Sequence, residues 1–395
     1  MISLETVRTP DRFWQLEDPW LALWARADGN VFQRFDWVAA WWRSAGELNG
    51  FRLNIVLAWE GDDLVAVAPL ITRRYRGLRV LEWAAKDCSD YCDIMIAPGI
   101  DKLDVVASVW RHVGANSRFD LAYITRMQPE ANAQLLARVT GSRAVGLRSS
   151  NRIALATGIK LGEWTSSKAW FQTLGKKGRN NHTRGWRILE TSGPVAFRLL
   201  DRGEDIAAAL DRVCALKQKW ADERHVSPPV LQNGAALLRA LVQTLAQVGS
   251  LRLFVLECDQ QIVAASLNIM DRDRLLAFVA AYDPAFDRAS PGTILMVEYI
   301  RWAIDNGLTM VDFLCGDETY KDRFADVRAE LASFTGARTP LGWMAIAAET
   351  GVGRAKSASM RSARALNAYR DEWRRRLSNL RQPHPVPDTP TAASP

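Results

Sequence analysis

Leu275-Leu276-Ala277-Phe278-Val279-Ala280-Ala281-Tyr282 runs directly into Asp283-Pro284-Ala285-Phe286-Asp287-Arg288-Ala289-Ser290-Pro291-Gly292, and the reading of this junction decides the fold. The first stretch is an apolar run of strand length, and the second is dense in chain-breaking residues. From Thr293 onward, Ile294, Leu295, Val297, Ile300, Trp302 and Ile304 recur at helical spacing until Asn306-Gly307 closes the segment. A second apolar run, Met310-Val311-Asp312-Phe313-Leu314-Cys315, then leads into Gly316-Asp317-Glu318-Thr319-Tyr320-Lys321. The pattern predicts strand, glycine turn, helix and strand, with polar groups gathered where the strands end. Upstream, residues 251–257 and 262–270 read as two further strands, joined at Asp259-Gln260-Gln261 and linked by Asp271–Arg274 to the 275–282 strand.

Such a unit has a physical use. The first amides of a helix have no internal partner, and the helix dipole adds partial positive charge there. A glycine at that turn lets a phosphate approach the backbone, so Ser290-Pro291-Gly292-Thr293 is suited to cradle a pyrophosphate. The plain alternative is an ordinary α/β connection.

At 395 residues the chain exceeds one ordinary domain, and its 48% hydrophobic content suffices for large cores. Sixteen tryptophans are spread along it and read mainly as core and groove walls. The net charge is +7, and residues 351–381, with nine Lys/Arg against two acids, account for all of it. The remainder is near neutral, so a general nucleic-acid-binding role does not follow from the charge. The five scattered cysteines, a start that does not read as a leader, and the absence of a long apolar run lead us to expect a cytoplasmic chain, with a peripheral place at the inner membrane surface as an alternative. Cys88 and Cys92 have no second Cys/His pair at usable spacing, so no metal is expected.

The first third reads as mixed α/β. A helix covers Trp37–Trp42, strands cover 51–59, 64–71 and 78–83, and Pro69 marks an edge or bulge. Asp87-Cys88-Ser89-Asp90-Tyr91-Cys92-Asp93 follows, read either as a capped, solvated turn or as an acceptor site in which Asp90, Tyr91 and Asp93 bind an amine or hydroxyl. A helix at 103–113, a strand at 119–124, a helix at 130–138 and an irregular end at 145–156 complete this part, which lacks a glycine-rich phosphate loop. Later helices are expected at 204–221 and 234–248, a last strand at 335–347, and a basic amphipathic helix at 357–380. Docking of that helix on the body is the main expectation, with an anionic membrane surface or an acidic partner as alternatives.

Residues 168–188 carry Lys168, Lys176, Lys177, Arg179, Arg184 and Arg187 with no acid among them. Six uncompensated cations suit either a solvated helix or a nearby anion.

Two stretches carry a resemblance. Tyr282-Asp283-Pro284 through Arg288 to Gly292-Thr293 resembles the acyl-CoA core of GNAT-type N-acyltransferases, in which such a loop holds the CoA pyrophosphate, although the Arg288–Gly292 spacing is longer by one. Leu174-Gly175-Lys176-Lys177-Gly178-Arg179-Asn180-Asn181 through Arg184 and Arg187 resembles the segment opening the second half of tandem-GNAT families. These are the cellulose-biosynthesis-type (CelD/BcsL-like) acetyltransferases and the related Fem-type aminoacyltransferases. The first fits better from about residue 30 to 325, also through Val65-Ala66-Val67-Ala68-Pro69-Leu70 and Ser89-Asp90-Tyr91-Cys92-Asp93.

The resemblance implies an α/β (α+β) chain of two tandem GNAT-like domains, 1–155 and 156–347, each a mixed, mainly antiparallel sheet flanked by helices. A C-terminal helix (348–381) and a disordered tail (382–395) follow. It further implies an acyl-CoA donor, acetyl-CoA in the first instance, held by Tyr282, Arg288, Ser290, Gly292 and Thr293. The implied acceptor is an amino sugar or another precursor of cell-surface polysaccharide or lipid. Lys177, Arg179, Arg184 and Arg187 are the cationic substrate contacts, or the contacts to tRNA in the Fem-like alternative. Asp312, inside an apolar strand, is the first candidate base, with Asp317 and Glu318 as rivals. Lys321 is placed to stabilise an oxyanion and Tyr320 to protonate the leaving thiolate. A non-catalytic scaffold of a surface-polysaccharide system is the alternative from another class.

Overall fold

The computed structural model describes residues 2–348 apart from 142–143, 151–153, 201–204, 224, 226–227 and 317–320. Glu318, Tyr320, the 357–380 helix and the tail lie outside the described residues. Met1–Pro340 form one compact unit, and Leu341–Pro395 form another.

The first half of the larger unit opens with β1 (Ile2–Val7), α1 (Pro10–Trp14), α2 (Glu17–Arg26) and α3 (Phe35–Trp41). Next come β2 (Arg52–Leu53), β3 (Ile55–Glu60), β4 (Asp63–Ala68), β5 (Leu70–Tyr75), β6 (Leu78–Trp83) and β7 (Met95–Ile96). The half continues with α4 (Lys102–Asn116), β8 (Leu121–Met127) and β9 (Arg148–Ser149). The second half begins with β10 (Ala154–Lys160), α5 (Ser167–Thr173), α6 (Lys176–Glu190), β11 (Val195–Leu200), α7 (Asp205–Glu223) and α8 (Gln232–Gln247). It ends with β12 (Leu251–Cys258), β13 (Gln261–Asp271), β14 (Arg274–Tyr282), α9 (Pro291–Asp305), β15 (Met310–Cys315) and β16 (Val327–Ala337).

β1, β3, β4 and β7 form a small antiparallel sheet. The large sheet runs β11-β12-β13-β14-β15-β10-β16-β8-β6-β5-β2, with β9 paired to β16. It joins the halves through β16, the last strand of the second half, which pairs with β10 on one side and with β8 of the first half on the other. Most pairings are antiparallel, and β6/β8 and β14/β15 are the parallel ones. The mixed, mainly antiparallel α/β architecture expected from the sequence is the observed one.

Local chemistry sets the breaks. The run expected as one strand at 51–59 divides at Asn54, whose amide donates to Leu70 O at 3.0 Å. Its partner, expected at 64–71, divides at Pro69, which lacks an amide and separates β4 from β5. The strand expected at 335–347 is corrected. β16 ends at Ala337, and Leu341-Gly342-Trp343-Met344-Ala345-Ile346 is helical, following Pro340 at a position where proline starts a helix without losing a needed bond.

The buried side chains form two clusters. One spans the first half and reaches Leu253, Leu267 and Leu276, and the other packs α9 with Trp170, Leu189, Phe254 and Phe313. Trp20, Trp37, Trp41, Trp83 and Trp110 are fully buried, so these tryptophans are core, as expected.

Candidate active site at the fork of two parallel strands

β14 and β15 pair over only three steps, Arg274↔Met310, Leu275↔Val311 and Leu276↔Asp312, and then separate. β14 stays paired with β13 to its end, with a register shift beside Phe278. Asp283 N donates to Val263 O at 2.8 Å, so the peptide groups of residues 283 and 281 face β13. By strand alternation those of Ala280 and Tyr282 face the side β15 has left. Lys217 Nζ, from α7, donates to Ala280 O there at 3.2 Å. The fork therefore turns the Ala280 and Tyr282 peptide groups toward the side from which β15 has departed.

Asp312 stands at the last paired step and is 4% exposed. Tyr91 Oη donates to its carboxylate, 2.9 and 2.8 Å from the two oxygens, and Leu314 N donates to Oδ1 at 2.8 Å. Burial pushes the carboxyl up to about 6, against the opposing pull of the Leu314 amide and the Tyr91 hydroxyl. Burial, reinforced by the neighbouring carboxylate, raises the Tyr91 phenol far above its ordinary range, so it stays protonated as the donor.

Further polar groups gather around this pair. Burial raises the Asp90 carboxyl, an effect opposed by Arg126, whose Nη1 lies 3.7 Å from Oδ1. Arg126 is held in place by Lys86 O at 3.0 Å and by Ser89 O. The Cys315 thiol donates to Asp90 O at 3.6 Å, and Lys321 Nζ, 7% exposed, donates to Cys315 O at 3.3 Å. Tyr91 packs edge-on to Phe32 at 5.9 Å, and Trp37 Nε1 donates to Ser89 Oγ at 3.0 Å, which fixes the loop. Two candidates from opposite ends of the sequence, Tyr91 and Asp312, are thus brought into contact.

Asp93 is not part of this cluster. It accepts from Ile94 N, Asn132 N and Ala133 N at 2.7, 3.0 and 2.7 Å and so caps the 3₁₀ helix Asn132–Arg138. Burial nonetheless raises its carboxyl to about 7.

A cavity of about 530 Å³ lies between α6 and the start of α9. Arg184, Arg288, Ser290 and Thr293 line it, bringing the two resemblance-bearing stretches together. Ser290 is left-handed (φ 54°), Pro291 occupies the first turn, and that turn carries no acid. A Cβ at Gly292 would lie 3.5 Å from the Tyr282 ring, an ordinary packing distance. Gly185 decides how near α6 can come, because a Cβ would fall 2.3 Å from Ala289 O. His182 Nε2 and Glu298 Oε1 lie 2.8 Å apart on this wall, with Arg301 3.1 Å from Glu298. Arg179 donates instead to Gln172 O and Leu174 O, at the end of α5, and Lys177 and Arg187 are exposed away from the cavity wall. Among the described residues no His/Cys/Asp/Glu group is placed to hold a metal ion, and no helix is long and apolar enough to cross a membrane.

Sequence reasoning missed Arg126, Gly185, Cys315 and Glu298. Arg126 did leave a signal, a charge inside an otherwise uncharged strand.

Residues 176–322 match the model of the acetyltransferase (GNAT) domain. No curated protein matches the chain in sequence. Among solved structures, FemX is similar with a TM-score of 0.54 at 10% identity, over 85% of this chain and 97% of that one. A tandem GNAT protein from the clavulanic acid biosynthesis pathway is similar with a TM-score of 0.50 at 12% identity, over 86% of this chain and 99% of that one. The chain thus has the fold of tandem GNAT proteins, with the match to the acetyltransferase (GNAT) domain model confined to residues 176–322.

Proposed function

We propose that the chain is an N-acyltransferase of the cellulose-biosynthesis type, moving an acyl group, acetyl in the first instance, from acyl-CoA to an amine. The proposed acceptor is an amino sugar or another precursor of cell-surface polysaccharide or lipid. The observation that carries this reading is the fork of β14 and β15, with the Tyr91–Asp312 pair at its apex and the cation-rimmed cavity beside α9.

In this reading the donor pyrophosphate rests on the first turn of α9 between Arg184 and Arg288, where the Gly292 amide and the helix dipole favour an anion, the Thr293 and Ile294 amides being bonded to Ser290 O at 3.0 and 3.2 Å. The donor arm follows the Ala280 and Tyr282 peptides toward the apex. The amine nitrogen bonds to the thioester carbonyl carbon and the carbon–sulfur bond breaks. The amine's surplus proton passes through the Tyr91 hydroxyl to Asp312, whose raised pKa suits it to receive a proton near neutrality. A relay through the phenol avoids a free phenolate. We assign oxyanion stabilisation to Lys321, and proton delivery to the departing thiolate to Tyr320.

The test is thiol release by purified protein given acetyl-CoA and a panel of amines beginning with glucosamine. Release should require both partners, and Asp312→Asn should suppress it. No release with any acyl-CoA would contradict the reading.

A second reading, transfer from aminoacyl-tRNA, is favoured by exposed Lys177 and Arg187 on α6, which leave a cationic face outside the cavity. Donor binding that weakens steeply with salt would support it.

A further inference from the structure

We infer that the first half carries a second ligand site, specific for a small organic oxyanion, in a cleft between the end of β1, the helical turn after α3 and the β2–β3 junction. The cleft encloses about 780 Å³, a small-molecule volume, and shares no lining residue with the cavity beside α9. The inference therefore stands or falls independently of the acyl-transfer reading.

Two of its wall residues are buried donors without an acceptor. Trp42 and Asn54 are 3% and 4% exposed, and Trp42 Nε1 and Asn54 Nδ2 have no hydrogen-bond partner among the described residues. Both atoms are closed off from solvent, so a ligand in the cleft reaches them by parting the wall. Buried polar groups are nearly always paired, and two orphan donors in the residues of one wall mark a place for acceptor atoms. Asn54 Oδ1 accepts from the buried Ser117 Oγ at 3.0 Å, and its NH₂ is the end left unpaired. Trp42 begins a π-helical turn, Trp42–Gly46, and Gly46 makes room for its ring, since a Cβ there would lie 2.5 Å from the indole. π-Turns of this kind recur at functional positions.

The rim supplies charge. Arg8, Arg52 and Arg118 line it, and Glu47 is the only carboxylate among the lining residues. Arg8 already donates to Asn116 O at 2.7 Å, whereas Arg52 and Arg118 form no ion pair among the described residues. Guanidinium groups match carboxylate and phosphate oxygens in pairs. Phe51, stacked on Trp41 at a centroid distance of 5.6 Å, adds an apolar wall. Donors inside, guanidiniums at the mouth and an aromatic side together select a phosphate- or carboxylate-bearing molecule with an apolar body.

The experiment uses the full chain labelled with ¹⁵N at tryptophan indoles, with the Trp42 resonance assigned by its loss in Trp42→Phe. Phenyl phosphate and benzoate are the probes, and benzyl alcohol is the uncharged control. The Trp42 signal should move saturably with at least one anion and stay still with the alcohol, and the responding probe distinguishes phosphate from carboxylate recognition. Replacing the two exposed arginines (Arg52→Ala with Arg118→Ala) should weaken that response by about tenfold or more and leave acetyl-CoA binding unchanged. No movement with either anion at millimolar concentration, equal movement with benzyl alcohol, or undiminished binding in the double variant would overturn the inference.

Discussion

In the first half, β6 and β8 run parallel and pair only at Val80↔Leu121 and Leu81↔Ala122, while in the second half β14 and β15 pair through Leu276↔Asp312. Both pairs are bridged by a helix of 15 residues, α4 and α9. At the last paired step one fork holds Ala122 and the other Asp312. The helix starts differ as well. Asp101 caps α4 through Asp104 N at 3.0 Å, and Asp104 adds a second acid, so carboxylates already occupy the site where an anion would bind. α9 begins with Pro291-Gly292 and no acid, facing Arg184 and Arg288 across a cavity. Near the end of β6, Glu82 is 1% exposed and neutralised by Arg73 at 2.6 Å and Lys86 at 3.6 Å, an internal ion network in place of an open slot. The comparison teaches that one β–α–β frame becomes a binding site or a structural partner according to a few residues at its apex and helix start. The first half still contributes, because its loop supplies Tyr91 to the second half's fork.

The comparison can be broken most sharply at the apex. Asp312→Asn should lower kcat/KM by about 10²–10⁴-fold while the chain stays folded, measured by thiol release and by circular dichroism. The mirror change, Ala122→Asp, places a charge at a fully buried position with no partner prepared for it. It should lower the free energy of unfolding by about 3–5 kcal/mol and create no new activity, as read by denaturant titration. Gly185→Ala forces α6 away from Ala289 O and should destabilise the chain by about 1–3 kcal/mol with a matching loss of donor affinity. Arg184→Ala and Arg288→Ala should each weaken acyl-CoA binding about tenfold, as seen by fluorescence titration.

The pH dependence sharpens the same contrast. Folding raises the Asp312 carboxyl from its ordinary value to about 6, so the folded state keeps a proton that the unfolded chain has released. Stability from this group is present below the ordinary carboxylate range and is lost as pH rises through about 6, a change on the order of 2–3 kcal/mol. Asp312→Asn should therefore be at least as stable as the parent at pH 7. Activity runs the other way, and kcat/KM should fall about tenfold per unit below pH 6 as the base becomes protonated.

Much of the second fork was legible in the sequence. The β14–α9–β15 unit could be read because an apolar run of strand length, a cluster of breakers and a period-3.6 pattern follow each other cleanly, and Asp312 stood out as a charge within an apolar strand. Its partner was not legible as a partner, since Tyr91 lies 221 residues away and no local pattern encodes that contact. The crossing of β16 into the first half's sheet was hidden for the same reason. Strand alternation reports that a face is buried, not against what. The 341–346 segment misled because its apolar residues suit either state, and Pro340 settles it as helix. Within α6, charge alone did not separate Arg184, at the cavity, from Arg179, which binds carbonyls of the preceding turn.

The most direct measurement is a calorimetric titration of the full chain with acetyl-CoA, run beside Gly292→Trp and Lys102→Trp, which place the same bulk at the starts of α9 and α4. The account predicts a single saturable site per chain, abolished in Gly292→Trp and untouched in Lys102→Trp. Two sites per chain, no binding, or binding that survives Gly292→Trp would contradict it.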